Sequence, residues 1–332
     1  MPETGIELAC SHVTTSATSL STATGLMRRS VVDRLAQRSG VLAMIFASLM
    51  WSTGGVLGKS THASGVVLSF WRLWIASAVL LLIVALTKRW PTRIDFRRAW
   101  LAGVLFGLNI CAFFIAIHSV SIATALIIAA LAPVVALPVS VRFFGEHMTS
   151  VKVVCAAASV VGVVVAVLAT PASGSGAEST VIGYLWALLA LVFWVAYLLV
   201  SKSVRPKVPT VQFMFVVSFI GALTVSLLAV LTSADLGEIH GTGWIWVSIL
   251  AIGPGICGHG LVAWAQPRVD ASVTSVLIQA EPIGATAMAW IFLGERITFT
   301  QGMAMLGVVV ALCVLAYSES REGSMTIVDA VS

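Results

Sequence analysis

The chain has 332 residues, of which 59% are hydrophobic and only 10% charged; its mean hydropathy is +1.02. A soluble domain keeps roughly 25% charged residues to coat its surface, so composition excludes a water-soluble enzyme, a disordered chain and a coiled coil, and predicts an all-α integral membrane protein. The formal net charge of +5 comes from short basic clusters between apolar runs, the pattern of membrane orientation rather than of a nucleic-acid surface.

A membrane helix needs about 20 apolar residues, and ten runs of that kind follow one another. Residues 1–40 form a polar, Ser/Thr-rich N-terminal tail that lacks the apolar core of a signal peptide. Met27-Arg28-Arg29 would open a chain on its own basic anchor, which makes Met27 a candidate start. The first five runs are 41–58, 66–87, 99–118, 122–141 and 153–170. A flexible Gly/Ser linker occupies 171–180, and the second five runs are 181–201, 211–231, 244–266, 271–293 and 299–317, followed by a tail at 318–332.

Basic residues set the orientation. With the N-terminus cytoplasmic, sixteen of the nineteen Lys and Arg residues fall on that side and only Lys59 and Arg296 outside, with Arg72 left inside a run. The expected topology is multi-pass in the cell membrane with both termini cytoplasmic. Five cysteines supply no disulfide framework and no metal-ligand spacing: Cys111, Cys155, Cys257 and Cys313 read as packing residues in apolar runs, and Cys10 lies in the tail. No cofactor or metal is expected.

The two halves repeat. Pro133, Gly145-Glu146, Val120 and Ala116 recur 149 positions later as Pro282, Gly294-Glu295, Val269 and Ala265; Trp51 and Lys59-Ser60 recur 143 positions later as Trp194 and Lys202-Ser203. Five runs per half is an odd number, so the second half must enter the membrane inverted. Inverted repeats meet at a midplane site that opens to each side in turn. The expected domains are a first repeat over 41–170 and a second over 181–317.

These residues resemble the drug/metabolite transporter superfamily, EamA type. The resemblance rests on Leu49-Met50-Trp51-Ser52, Phe70-Trp71-Arg72, Ala132-Pro133 with Phe144-Gly145-Glu146, and Glu281-Pro282 with Leu293-Gly294-Glu295-Arg296; Gly258-His259 and Trp264-Ala265 extend it. It implies ten helices, cytoplasmic termini and export or exchange of small metabolites, and no one substrate, since the family spans amino acids, other metabolites and drugs; amino acids or related organic solutes are the leading expectation.

Two charged residues fall within the runs. Glu281 lies about ten residues into its run, roughly 15 Å deep, and is followed by Pro282, which frees a carbonyl one turn earlier. This makes a candidate proton or cation site. Arg72 can fork onto a substrate carboxylate, snorkel outward or pair with Glu281. His259 follows Gly253-Pro254-Gly255 and sits between Gly258 and Gly260, where the backbone is loosened; it can exchange protons or sit in the core. Asn109, Trp51, Trp194, Tyr197 and Gln279 complete the candidates, as aromatic walls with a few polar groups suit a small organic ligand. Gly54/Gly58 and Gly103/Gly107 have small-xxx-small spacing and read as packing within the bundle. The chain is expected as a monomer or homodimer.

The expected function is a secondary transporter, an exporter working by alternating access and driven by proton exchange or by the substrate gradient, and no enzyme. No phosphate-binding GxxxxGK[ST] loop occurs. A passive facilitator would expect a continuous polar pore, and an intramembrane lipid-modifying enzyme a cluster of acids or His/Asp groups at one membrane face; neither is the leading reading.

Overall fold

The computed structural model describes residues 38–120, 125, 128–145, 148–169, 181–293 and 298–328. The N-terminal tail with Met27 and Cys10, the 171–180 linker, Glu146 and the Gly294-Glu295-Arg296 segment therefore lie outside the described residues. Every described element is helical. Among the described residues, six helices are long and apolar enough to cross a bilayer: α1 (Arg38–Lys59), α2 (Gly65–Thr87), α3 (Arg93–Ser119), α6 (Val181–Lys207, whose last three residues tighten into a 3₁₀ turn), α7 (Thr210–Leu231) and α8 (Gly243–Ala265).

The other predicted runs are shorter or interrupted. α4 is Ala132–Phe144 and α5 is Ser150–Leu168. The run at 271–293, read from sequence as one helix, is two segments, Ala271–Leu277 and Ala280–Leu293, together called α9. The break falls one residue before Glu281-Pro282, where proline cannot donate to the preceding turn. α10 is Phe299–Val328, so the helix continues eleven residues beyond the predicted end at 317. Polar residues such as Ser318 and Glu319 carry no membrane signal, yet they propagate a helix already nucleated.

Local chemistry fixes several ends. Thr92 and Asp95 form a reciprocal capping box at the start of α3. Glu238, in the loop before α8, accepts the Ser64 backbone N–H at 2.8 Å and so caps α2 from another part of the chain. Gly145 ends α4 with φ +64, a left-handed conformation that costs glycine nothing. Lipid-facing surfaces are apolar: Leu86, Phe143, Leu168, Val230 and Phe299 are each at least 72% exposed. Hydrocarbon replaces the water that such a surface would not tolerate.

With apolar surface on both sides of each contact, helix association in lipid depends on close backbone approach. α3 lies against α6 and α7, α2 against α7, and α5 against α10. Small residues set these distances. A Cβ on Gly107 would stand 2.7 Å from the Gly221 carbonyl oxygen, one on Gly103 would meet Ile220 at 2.7 Å, and one on Gly65 would meet the Ile115 backbone nitrogen at 2.4 Å. Gly58 similarly lies against Phe114. The predicted glycine pairs thus pack inside the bundle.

Gly107→Val should lower the unfolding temperature of the detergent-purified protein, a cost of about 1–3 kcal/mol from forced separation of α3 and α7. Gly260→Ala, which faces nothing within 4 Å, should leave it unchanged or raise it.

Candidate functional site

Three apolar clusters form the interior, and Trp194 packs against all of them. Beside it lies a cavity of about 120 Å³. Helices from both halves line it: α1 supplies Trp51 and Gly54, α2 Arg72, α3 Asn109 and Phe114, α6 Trp194, α8 Pro254 and His259, and α9 Gln279, Glu281 and Pro282. Seven of the eight sequence candidates thus share one wall. The eighth, Tyr197, lies one turn beyond Trp194, is only 1% exposed and touches the Trp194 ring at 5.6 Å.

One end of the cavity is closed by rings. Trp51 and Trp194 meet edge to face with centroids 5.3 Å apart, and His259 lies 4.6 Å from Trp51 and 6.0 Å from Trp194. Phe106 stands 4.7 Å from His259 and 5.1 Å from Tyr197. These edge-on and tilted contacts hold the rings in a defined arrangement. Below them, toward the basic ends of α6 and α8, none of the described residues lines the cavity.

The backbone of α8 explains how that cluster is seated. Ala251–Gly258 is π-helical with Pro254 inside it, a form that leaves carbonyls free and recurs at functional positions. The Pro254 carbonyl accepts the Trp51 indole N–H at 3.0 Å. A Cβ on Gly258 would collide with that indole nitrogen at 2.6 Å, so the glycine makes room for Trp51.

α9 is opened in a similar way, and side chains take up its carbonyls. Ser52 donates to the carbonyls of Ser48 and Glu281 at 2.9 and 2.8 Å. The Gln279 amide donates to the Ala130 carbonyl at 2.7 Å, joining the break in α9 to the turn that precedes α4. Asn109 donates to the Ala190 carbonyl at 2.9 Å, tying α3 to α6.

The charged groups are less satisfied. Arg72 is 4% exposed, makes no hydrogen bond to any described residue, and its Nε is buried without a partner. Its guanidinium lies over the Phe114 ring at 5.4 Å, a cation–π contact that sequence reading missed because nothing in the spacing marks Phe114. Arg72 interacts electrostatically with both Glu281 and His259, yet among the described residues no ion pair within 4.0 Å joins Arg72 to Glu281. His259 Nδ1 is also buried and unpartnered. The arrangement is a small apolar chamber with one cation, one acid and a few orphaned polar atoms.

Gln279→Leu should lower stability by about 1–3 kcal/mol, because the Ala130 carbonyl is left buried and unpaired. Thermal unfolding in detergent, compared with Gln279→Glu, checks this.

Comparison with known proteins places this geometry in context. A protein of known crystal structure superposes with a TM-score of 0.69 at 25% identity, over 83% of this chain and 97% of the other. An uncharacterized transporter of Clostridium kluyveri is 23% identical over 305 residues, 86% of this chain and 96% of the relative. Residues 38–168 and 181–317 each match the EamA-like transporter family. The chain belongs to the EamA-like transporter family, a multi-pass membrane protein whose cavity lies between the two matched segments.

Proposed function

We propose that the protein is a secondary transporter that exports small organic metabolites by alternating access. Its ten helices form two inverted five-helix repeats, residues 41–170 and 181–317, in the cell membrane with both termini cytoplasmic. The observation that carries this reading is the cavity itself, built from both halves, holding a buried cation and a half-buried acid, and sealed at one end by aromatic rings.

Contacts between the halves support the inverted repeat. Gly40 lies against Val269, and Gly183 lies against Val120. By the displacements of 143 and 149, Gly183 corresponds to Gly40 and Val269 to Val120. A contact between one residue and the image of a second, matched by its reciprocal, is what a two-fold axis generates. Trp51 touches its own counterpart Trp194, and Gln279 bonds the carbonyl of its counterpart Ala130, as residues near such an axis do.

The same contacts assign the conformation. With the positive-inside orientation, the cavity runs from the aromatic cluster toward the outer ends of α3 and α6, and the cytoplasmic side is shut. At that shut end the turn between α8 and α9 is tied down. Lys152, at the start of α5, forms a salt bridge with Asp270 at 3.1 Å, and the Lys202 ammonium donates to the Val269 carbonyl. The Lys152–Asp270 bridge thus ties the first half to the second on the cytoplasmic face, while the Lys202 bond stiffens the turn within the second half. Inward opening requires the Lys152–Asp270 bridge and the Trp51–Trp194–His259 cluster to separate.

Glu281 is the coupling acid. It lines the cavity beside the opened backbone of α9 and interacts electrostatically with Arg72, so loading and losing a proton there changes the charge balance around the bound solute. A chamber of about 120 Å³ lies well below the 300–1,000 Å³ typical of sites for drug-sized ligands, which favours small metabolites.

Proteoliposomes provide the tests. Glu281→Gln should abolish accumulation driven by a pH gradient while preserving counterflow at equal pH; gradient-driven accumulation at the wild-type level removes the coupling role. Lys152→Asp should lower the counterflow rate several-fold, and the exchanged pair Lys152→Asp with Asp270→Lys should restore most of it. Flux that never saturates with solute concentration would replace the carrier with a channel.

A further inference from the structure

The polar atoms left unsatisfied in the cavity point to what it binds. The Arg72 guanidinium lies over the Phe114 ring at 5.4 Å and close to the π-helical backbone of α8, where a Cβ on Gly255 would stand 3.8 Å from Nε and 4.0 Å from one terminal nitrogen. Nε is sealed and without a partner. The terminal nitrogens are the donors left to the cavity, and they form no hydrogen bond to any described residue. A guanidinium is a planar fork of donors, and with Nε sealed its terminal pair is what this one offers the cavity, a match for a carboxylate that accepts two parallel hydrogen bonds.

We propose that Arg72 is the anchor of a carboxylate-binding subsite, and that the cavity takes small carboxylate-bearing solutes with an apolar body. This rests on the reading of the cavity as the transport site. Three features set the class. Glu281 lies in the same cavity but forms no ion pair with Arg72 within 4.0 Å, so the counter-charge beside the guanidinium is left for a ligand to supply. The remaining wall, with Phe113, Ile110, Leu191 and Trp194, offers an apolar body contact surface but few hydrogen bonds. A cationic solute would meet Arg72 as a like charge in a low-dielectric site, and a neutral amide would place an N–H donor where only acceptors are useful. Carboxylate can come from a free organic acid or from an amino acid, whose ammonium would in addition face Glu281.

A matched set of probes on one carbon skeleton separates these cases: leucine, 4-methylpentanoate, 4-methylpentanamide and 3-methylbutylamine. Each is titrated against the purified full-length protein in detergent, reading unfolding temperature and the fluorescence of the cavity tryptophans. The expected result is a saturable rise in unfolding temperature with at least one of the two carboxylates and none with the amide or the amine. A response to leucine alone assigns amino acids as the source, and a response to 4-methylpentanoate alone assigns free acids; either supports the subsite. Arg72→Gln should abolish the response, and Arg72→Lys, which keeps the charge without the fork, should weaken apparent affinity by about tenfold. Equal responses to amide and carboxylate, no response to either carboxylate, or a response that survives Arg72→Gln in folded protein would overturn the proposal. Counterflow of the responding probe in liposomes tests the other reading separately. Binding that depends on Arg72 without flux would sink the transporter function and leave the subsite standing. Saturable flux untouched by Arg72→Gln would do the reverse.

Discussion

An arginine buried within an apolar bundle, without a hydrogen bond from any described residue, is the constraint around which the interior is organised. Placing such a residue at the centre of a membrane helix costs roughly 2.5–3.5 kcal/mol even on insertion scales, and the cost rises if the charge cannot find compensation. The bundle offers Arg72 a ring face, a glycine-lined stretch of backbone and a distant acid. None is a full partner. The backbone beside it is irregular: α8 is π-helical and glycine-rich at this level, with Pro254 inside the stretch, while its ends are ordinary α-helix.

Irregular backbone beside the cavity has a second consequence. Helices in lipid satisfy their own backbone groups, and departures are tolerated only where protein or a cavity covers them. The breaks in α8 and α9 and the turn before α4 all meet at the cavity, and the freed carbonyls are taken up by Trp51, Ser52 and Gln279. These side chains therefore do two things at once. They repair the backbone, and they fix the positions of the aromatic rings and of Glu281, which follows the break directly. Polar residues that a hydropathy reading counts as small irregularities are what allow the chamber to exist.

Much of this was legible in the sequence, for a physical reason. The bilayer forces apolar runs of near-constant length, and the rarity of charge inside them makes Arg72 and Glu281 stand out. The repeat displacements linked Trp51 with Trp194 before any contact was known. Periodicity could not reveal that 271–293 is broken, since proline in a membrane run is compatible with either a kink or a gap. It could not locate Phe114, one phenylalanine among 14, because an aromatic becomes a cation's partner only through the crossing of α2 and α3. The continuation of α10 to Val328 also left no trace, as helix propagation into polar residues follows from nucleation rather than from hydrophobicity. Tyr197, chosen for its depth, supports the cavity's aromatic floor from behind rather than lining it.

The proposed two-fold relation is not carried through to the ends of the molecule, and the departure has a cause. Under the positive-inside distribution, the turn between α8 and α9 lies among lysines and arginines, and it is held by Lys152 and Lys202. Its counterpart between α3 and α4 lies on the side that the same rule leaves poor in cations. The ammonium of Lys59, the image of Lys202, makes no hydrogen bond to any described residue, and the residue remains partly exposed. The tie therefore exists at one end of the proposed axis: Lys202 bonds the Val269 carbonyl, whereas the ammonium of its image Lys59 bonds no described carbonyl, so the proposed halves are matched in backbone but unequal in the charges that fasten them.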